Sequence, residues 1–243
     1  DPDRLLSVRK DGKRARWAQL ERQLLSSIAG RTDRGAGLVM LLEPTSSPSI
    51  AAQLARLRTL LPAVRVYFHD PLAPTGALEG ARRAFGTPLV ARYDFSTADV
   101  LVFLDADLLS TGPFHLRHAR QVADRRRVLQ PSDGMSRLYV AEAEPSPTGT
   151  IADERLRARA RDVPRLLAAL LGELDSAGSA SGLTERERTW VAAAARDLRN
   201  SAGRSVVAVG ERQPWMSHVL AHAINERLGN VGQTVDYARS AIL

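Results

Sequence analysis

The sequence predicts an α/β fold, with parallel sheets and flanking helices built from β-α-β units. Three observations predict it. Short, mostly apolar runs at 38–42, 64–68, 99–104, 137–141 and 204–209 have the length and content of buried parallel strands. The segments between several of them repeat apolar residues at helical spacing. The two kinds of segment alternate along most of the chain, which is the pattern of right-handed crossovers.

Each element can be justified in order. Residues 1–16 are polar and basic and read as an extended lead-in. Trp17, Leu20, Leu24, Leu25 and Ile28 have helical spacing. Leu38–Leu42 is a continuous apolar run, read as a buried parallel strand. Pro48 opens a helix that places Ile50, Leu54, Leu57, Leu60 and Leu61 on one face. Val64–Phe68 is the next strand, and Gly76–Phe85 a helix ended by Gly86. Asp99–Leu104 is a strand, Phe114–Arg126 a helix and Arg137–Ala141 a strand. A helix is expected over 155–174, then a Ser/Gly-rich stretch from Ser176 to Gly182. Thr184 with Glu187 forms a capping-box pattern that starts a helix running to about residue 200. Arg204–Val209 is the last strand expected, and its run stops at Gly210. A final helix begins at Pro214, reaches Leu228 and ends at Gly229, with Gly232 following. The expected organisation is an α/β domain over 1–175, a linker or loop over 176–183, and a C-terminal helix-strand-helix segment over 184–243 that packs on the same domain.

The composition narrows the function classes. A chain of 243 residues suffices for one large core or two modest ones. No apolar run approaches the roughly 20 residues that span a bilayer. The sequence starts at Asp1 with no methionine and no visible signal peptide, so a processed chain or a piece of a longer one is expected. It contains no cysteine, which excludes disulfides, cysteine-ligated zinc and iron–sulfur clusters held by these residues. The net charge is +7 and comes from arginine, since Lys10 and Lys13 are the only lysines. The longest basic cluster is Arg125–Arg127, and the few aromatics do not interleave with basic residues, so no nucleic-acid partner is expected.

Two groups of residues carry possible chemistry. Asp105 and Asp107 follow an apolar strand at i and i+2, positions that share a side in an extended segment. Two carboxylates placed so can hold a divalent ion and a substrate phosphate, as in the DxD pattern of nucleotide-sugar glycosyltransferases. The plainer reading is that they cap the following turn. His218 and His222 lie four apart and share a helix face. Such a pair can bind zinc, but the HExxH pattern is absent, and core or surface histidines are the plainer reading. His115 and His118 read the same way. The sequence has no GxSxG, GxGxxG or Walker A pattern. No catalytic residue and no metal ligand is assigned.

The order of several segments resembles the molybdopterin oxidoreductases of the formate dehydrogenase/DMSO reductase kind. They are Arg16-Trp-Ala-Gln-Leu20, Ala84-Phe-Gly86, the run Tyr93–Val100, Ala152–Leu156, the helix containing Leu166–Leu171, and the end of the chain from Val206 to Val235. Within that superfamily the chain resembles the molybdopterin-oxidoreductase-like subunit of alternative complex III, a membrane quinol-oxidising assembly. Arg137-Leu-Tyr-Val140 and Pro145-Ser-Pro-Thr-Gly149 carry that finer likeness.

Set against the cofactor-binding members, the chain departs at three places. Phe68 stands where the resemblance would put the metal ligand, followed by His69 and Asp70. Asp105-Ala-Asp-Leu108 replaces a glycine-containing pterin loop, which removes close backbone approach and adds charge that repels phosphates. Glu142-Ala-Glu144 stands where a phosphate-pairing arginine is usual. The resemblance thus implies a cofactor-free scaffold with a vestigial pocket at His69, Asp70, Asp105, Asp107 and Glu142. It implies other subunits of a membrane-bound respiratory complex as partners, iron–sulfur clusters only outside these residues, and a place on the periplasmic side of a bacterial membrane. An active enzyme holding molybdopterin guanine dinucleotide, with Asp70 as ligand, is the alternative, and the DxD glycosyltransferase a second one.

Overall fold

The computed structural model describes residues 4, 6–29, 33–73, 75–130, 134–177 and 182–240. They fall into two compact units, Asp1–Leu72 and Ala73–Ser240, taken in turn.

The first unit begins with a hairpin, β1 (Arg9–Lys10) and β2 (Lys13–Arg14), where a plain lead-in was expected. The reason is local. Asp11 and Gly12 both have positive φ, 50° and 76°, which suits a two-residue hairpin turn. The helix α1 (Trp17–Ala29) follows the predicted spacing, yet none of its residues is buried. β3 (Val39–Leu42) and β4 (Arg65–Phe68) pair in parallel around α2 (Pro48–Leu60). Ser47 caps α2, its hydroxyl accepting from the amide of Ile50. β3 was expected to be buried on both faces, but exposed and half-buried residues alternate along it. Of the α2 face predicted from spacing, only Leu54 is buried.

The second unit holds the main core. Its centre is a four-stranded parallel sheet in the order β8-β7-β6-β9, with β6 (Val100–Leu104), β7 (Arg137–Glu142), β8 (Glu154–Arg157) and β9 (Ser205–Val209). This is the predicted α/β class. Every residue of β6 and β9 is buried, as expected for strands covered on both faces. Alternation along the strands sorts the core into two layers. Val102, Leu104, Tyr139 and Val207 pack with α6 (Val163–Leu174), α7 (Glu185–Asn200) and α8 (Trp215–Arg227). Leu101, Phe103, Val140 and Val206 pack on the other face with Phe95, Val122 of α4 (His115–Arg125) and Val235. A separate antiparallel pair, β5 (Leu89–Tyr93) with β10 (Val235–Arg239), was not predicted.

The helix expected over 155–174 is a correction. Residues 154–157 form β8, a 3₁₀ turn follows at Ala160–Asp162, and α6 starts only at Val163. Pro164 explains the start, because its ring is tolerated in a first helical turn and not inside a helix. The alternation of Leu156 and Ala158 with arginines is a strand pattern. The Thr184–Glu187 capping box forms as read, with both reciprocal hydrogen bonds. Residues 178–181 of the expected linker lie outside the described ones.

Two features fix α8. The first is a close approach between α8 and α3 (Thr75–Phe85). A Cβ on Gly80 would come 2.5 Å from the Cβ of His218 and 2.8 Å from the carbonyl of Trp215, so only glycine allows the two helices to touch there. The second is a polar clamp on the free edge of β9. The Asn225 amide accepts from Val207 N at 3.0 Å and donates to Val207 O at 2.7 Å, as a neighbouring strand would. Asn230 accepts from the Ser205 hydroxyl at 3.1 Å, and the Thr234 hydroxyl donates to Ser205 O at 2.5 Å. Among the described residues no helix is long and apolar enough to cross a membrane.

Two predictions follow from this packing. In Asn225→Leu, Val207 keeps a buried N–H and C=O with no partner. Urea denaturation should show a loss of about 2–5 kcal/mol, against about 0.5 kcal/mol or less for the same exchange at the exposed Asn200. A loss no larger than at Asn200 would contradict the clamp. The second concerns acid. Arg126 grips Asp153 with two hydrogen bonds of 2.6 and 2.8 Å, and Leu138 N donates to the same carboxylate at 2.7 Å. The guanidinium holds Asp153 below the ordinary carboxylate range. Its stabilisation is therefore complete above the unfolded-state value of about 3.9 and disappears as pH falls through the lower folded value. Asp153→Asn should flatten that part of the stability-versus-pH curve, measured by denaturation between about pH 2 and 5.

Candidate functional site

The carboxyl ends of β6, β7 and β9 gather three of the five sequence-predicted residues, Asp105, Asp107 and Glu142. His69 and Asp70 follow β4 in the first unit. Both are exposed, and Asp70 accepts from Leu72 N at 2.8 Å.

Asp105 does not continue the extended backbone of β6. It sits at φ 53°, in the left-handed region, so the i, i+2 argument for two parallel carboxylates does not hold. The two side chains take partners from different neighbours. Asp105 accepts from the Gln213 amide at 2.7 Å, beyond β9. Gly210 makes this possible, since a Cβ there would overlap the Asp105 carbonyl. Asp107 turns to α5 (Pro147–Thr150), a short helix after β7. It accepts from Thr148 N at 3.2 Å and the Thr148 hydroxyl at 2.5 Å, and also from the Ser110 hydroxyl. Thr148 Oγ1 in turn accepts from Leu109 N at 3.1 Å, tying the loop after β6 to α5.

Glu142 is buried at the end of β7. Arg155 of β8 pairs with it at 2.6 Å, and the Ser146 hydroxyl donates to it at 2.6 Å. The same Ser146 caps α5, accepting from Gly149 N at 3.0 Å. The three carboxylates are thus each fastened to groups of the protein itself.

This arrangement bears on the pterin dinucleotide that the resemblance raises. A phosphate-bearing group needs free backbone donors or cations. Here the Thr148 amide already serves Asp107 and Nε of Arg155 already serves Glu142, while Arg155 Nη2 is buried without a partner. Two of the donors that such a group would use are therefore taken. The DxD reading meets a related obstacle, because Asp105 and Asp107 do not turn toward common partners. Among the described residues no group of three or more His, Asp or Glu could hold a metal ion.

A second polar cluster lies on α8. His218 and His222 are buried, at 6% and 9% exposure. Burial lowers the affinity of both rings for a proton, and His222 falls to about 4, with His218 adding repulsion. Tyr237 of β10 lies 3.0 Å from His222 Nδ1, and Phe85 of α3 packs on both rings. Burial pushes the phenol of Tyr237 up as well. Sequence reasoning placed the two histidines on one helix face but missed Tyr237, Gln213, Thr148 and Asn225. Asn225 and Asn230 were within reach, as polar residues in an otherwise apolar segment. Gln213 and Thr148 lie 108 and 41 residues from their partners, and no local pattern marks such pairs.

No family model matches the chain, and no curated protein matches it. Among solved structures it is similar to acetylene hydratase from Pelobacter acetylenicus, with a TM-score of 0.59 and 12% sequence identity. The match covers 92% of this chain and 34% of that one, so this chain spans about a third of the enzyme's length. At that identity the likeness shows the fold alone, which is α/β.

The fastening of Asp107 can be measured. Asp107→Ala removes the acceptor for the Thr148 amide and hydroxyl and leaves the loop after β6 untied. A loss of about 1–3 kcal/mol is expected for these hydrogen bonds to a charged group, with Asp107→Asn losing less because it keeps one acceptor oxygen. Equal stability of Asp107→Ala and the parent chain in thermal and urea unfolding would show that the carboxylate has no such role.

Proposed function

We propose that this chain is part of a molybdopterin-oxidoreductase-like subunit of a membrane-associated respiratory electron-transfer complex, and that it serves as a cofactor-free scaffold. One observation carries the reading. The carboxylates of Asp105, Asp107 and Glu142 occupy the strand ends, where ligands bind in open α/β sheets, and engage the donors a phosphate would use. The shared α/β fold supports the family part of the proposal, and the order of the sequence segments supports the finer part.

In this reading the chain supplies a rigid body for subunit contacts. Its partners are other subunits of the complex. Iron–sulfur clusters, if the parent polypeptide has them, sit on cysteines outside these residues. The periplasmic face of a bacterial membrane is the proposed location, reached through those partners.

The test is metal and pterin analysis of the longest natural form of the protein, purified from its host. Molybdenum and tungsten are measured by mass spectrometry and pterin by fluorescence after oxidation. The scaffold reading expects less than about a tenth of an equivalent of either. Stoichiometric metal with pterin would overturn it.

A further inference from the structure

A short helix takes most of its stability from the face it packs, and one of 13 residues such as α1 is marginal in water on its own. None of the residues of α1 is buried, although its sequence provides a face for packing. At about 100° per residue, Leu20, Leu24, Trp17 and Ile28 fall within about 80° of arc, and Leu25 stands beside them. Trp17 is 68% exposed and Leu25 66%. Glu21 is the one acidic group on this side, between Ile28 and Leu25. Gln19, Arg22, Gln23 and Ser26 occupy the other side.

The chain leading into α1 is cationic. The β1–β2 hairpin pairs Arg9 with Arg14 and Lys10 with Lys13, and the Ala15 amide donates to Val8 O at 2.8 Å. Arg16 follows, its amide donating to Gln19 Oε1 at 2.9 Å where the helix starts. All five basic side chains are exposed, and among the described residues none of them is in an ion pair. Asp11 is the only acidic residue between Val8 and Trp17. These cations serve neither the hairpin nor the helix. Like charges face each other across the two strands, which costs stability, and they precede a helix end that is itself positive.

We propose that α1 and the β1–β2 hairpin form a docking surface for an anionic lipid bilayer. The helix lies in the plane of the interface, with Trp17, Leu20, Leu24 and Ile28 turned to the acyl chains and the cations of the hairpin and Arg16 at the level of the headgroup phosphates. Charge selects this occupant. The other bare apolar face of the first unit, formed by Val39, Leu41 and Tyr67, carries Arg65 and no carboxylate, so neither that face nor its counterpart on a second copy complements the hairpin. An anionic bilayer complements the stripe and the cations together. The proposal stands apart from the scaffold reading, which rests on the second unit.

The test is co-sedimentation of the 243-residue chain with vesicles of phosphatidylcholine containing about a quarter phosphatidylglycerol, and with phosphatidylcholine alone. Binding to the anionic vesicles should be at least about tenfold tighter, and should weaken as salt rises from about 0.05 to 0.5 M. Lys10→Gln/Lys13→Gln should weaken it about twentyfold, at about fivefold for each cation lost. Leu24→Gln should weaken it about tenfold, and Glu21→Gln should strengthen it by removing a repelled charge. Emission from Trp17 should move to shorter wavelength on binding, a shift absent in Trp17→Phe. These side chains lie outside any packed core, so each variant should melt with the parent chain. Equal binding to neutral vesicles, or anionic binding that Leu24→Gln leaves unchanged, would overturn the proposal. Lipid-free dimerisation abolished by Leu24→Gln would assign the stripe to a second copy instead. Loss of binding in the longest natural form of the protein would assign it to the parent's own polypeptide.

Discussion

The second unit depends on how the free edge of β9 is closed. The sheet is buried on both faces, so the outward N–H and C=O groups of its edge strand cannot be left to water. Among the described residues no strand covers that edge, and the Asn225 side chain takes the place of one, pairing with both backbone groups of Val207. For Ser205, Asn230 accepts from the backbone N–H and the Thr234 hydroxyl donates to the carbonyl. These bonds are short-range in space but set α8 at one register against β9. A slip by one residue would leave the edge unpaired and turn apolar positions out of the core. Gly80 then lets α3 close on α8 at Trp215 and His218. Gln213, His218 and His222 owe their positions to that register.

From the same constraint comes the order at the strand ends. Because α8 is fixed, the loop before it brings Gln213 onto Asp105. Because β7 and β8 are in register, Arg155 meets Glu142, and Ser146 can serve both Glu142 and the start of α5. The start of α5 in turn presents Thr148 to Asp107. Each carboxylate is held by an element whose place was already set by strand pairing. The polar groups here are second in the order of causes, after the sheet and its clamped edge.

How much was legible follows from the range of each interaction. β6 and β9 announce themselves because burial on both faces demands continuous apolar runs. The start of α7 is legible because its capping box lies within four residues. β8 was misread as helix because its four residues are too short for a period to stand out, and Pro164 was not given its weight. β5 and β10 pair across more than 140 residues and have weak alternation, so neither strand signals its partner. The site divides the same way. Residue types at 105, 107 and 142 could be named from the sequence, but not what they bond to. An aspartate that binds an ion and one that binds a helix start look alike until the fold supplies the donor. The backbone at Asp105 shows this most plainly, since a positive φ undoes the spacing argument and no residue in the chain foretells it.

The contrast between internal and external anions gives the scaffold reading its physical content. A phosphate arriving from solution must lose translational freedom and hydration before it gains its hydrogen bonds. Asp107 is already tethered next to Thr148, so its carboxylate holds the same donors at a far lower entropic cost. The arrangement is also hard to reverse one residue at a time. Removing Asp107 alone would leave Asp105 and Glu142 as repelling charges near the freed amide. Removing Glu142 alone would strand Arg155 in a partly buried place without its partner. Replacing Asp105 alone would leave Gln213 only its bond to Ala160 O, with its amide oxygen already unpaired in the core. Each single step towards a phosphate-binding edge therefore destabilises the fold before it gains a ligand.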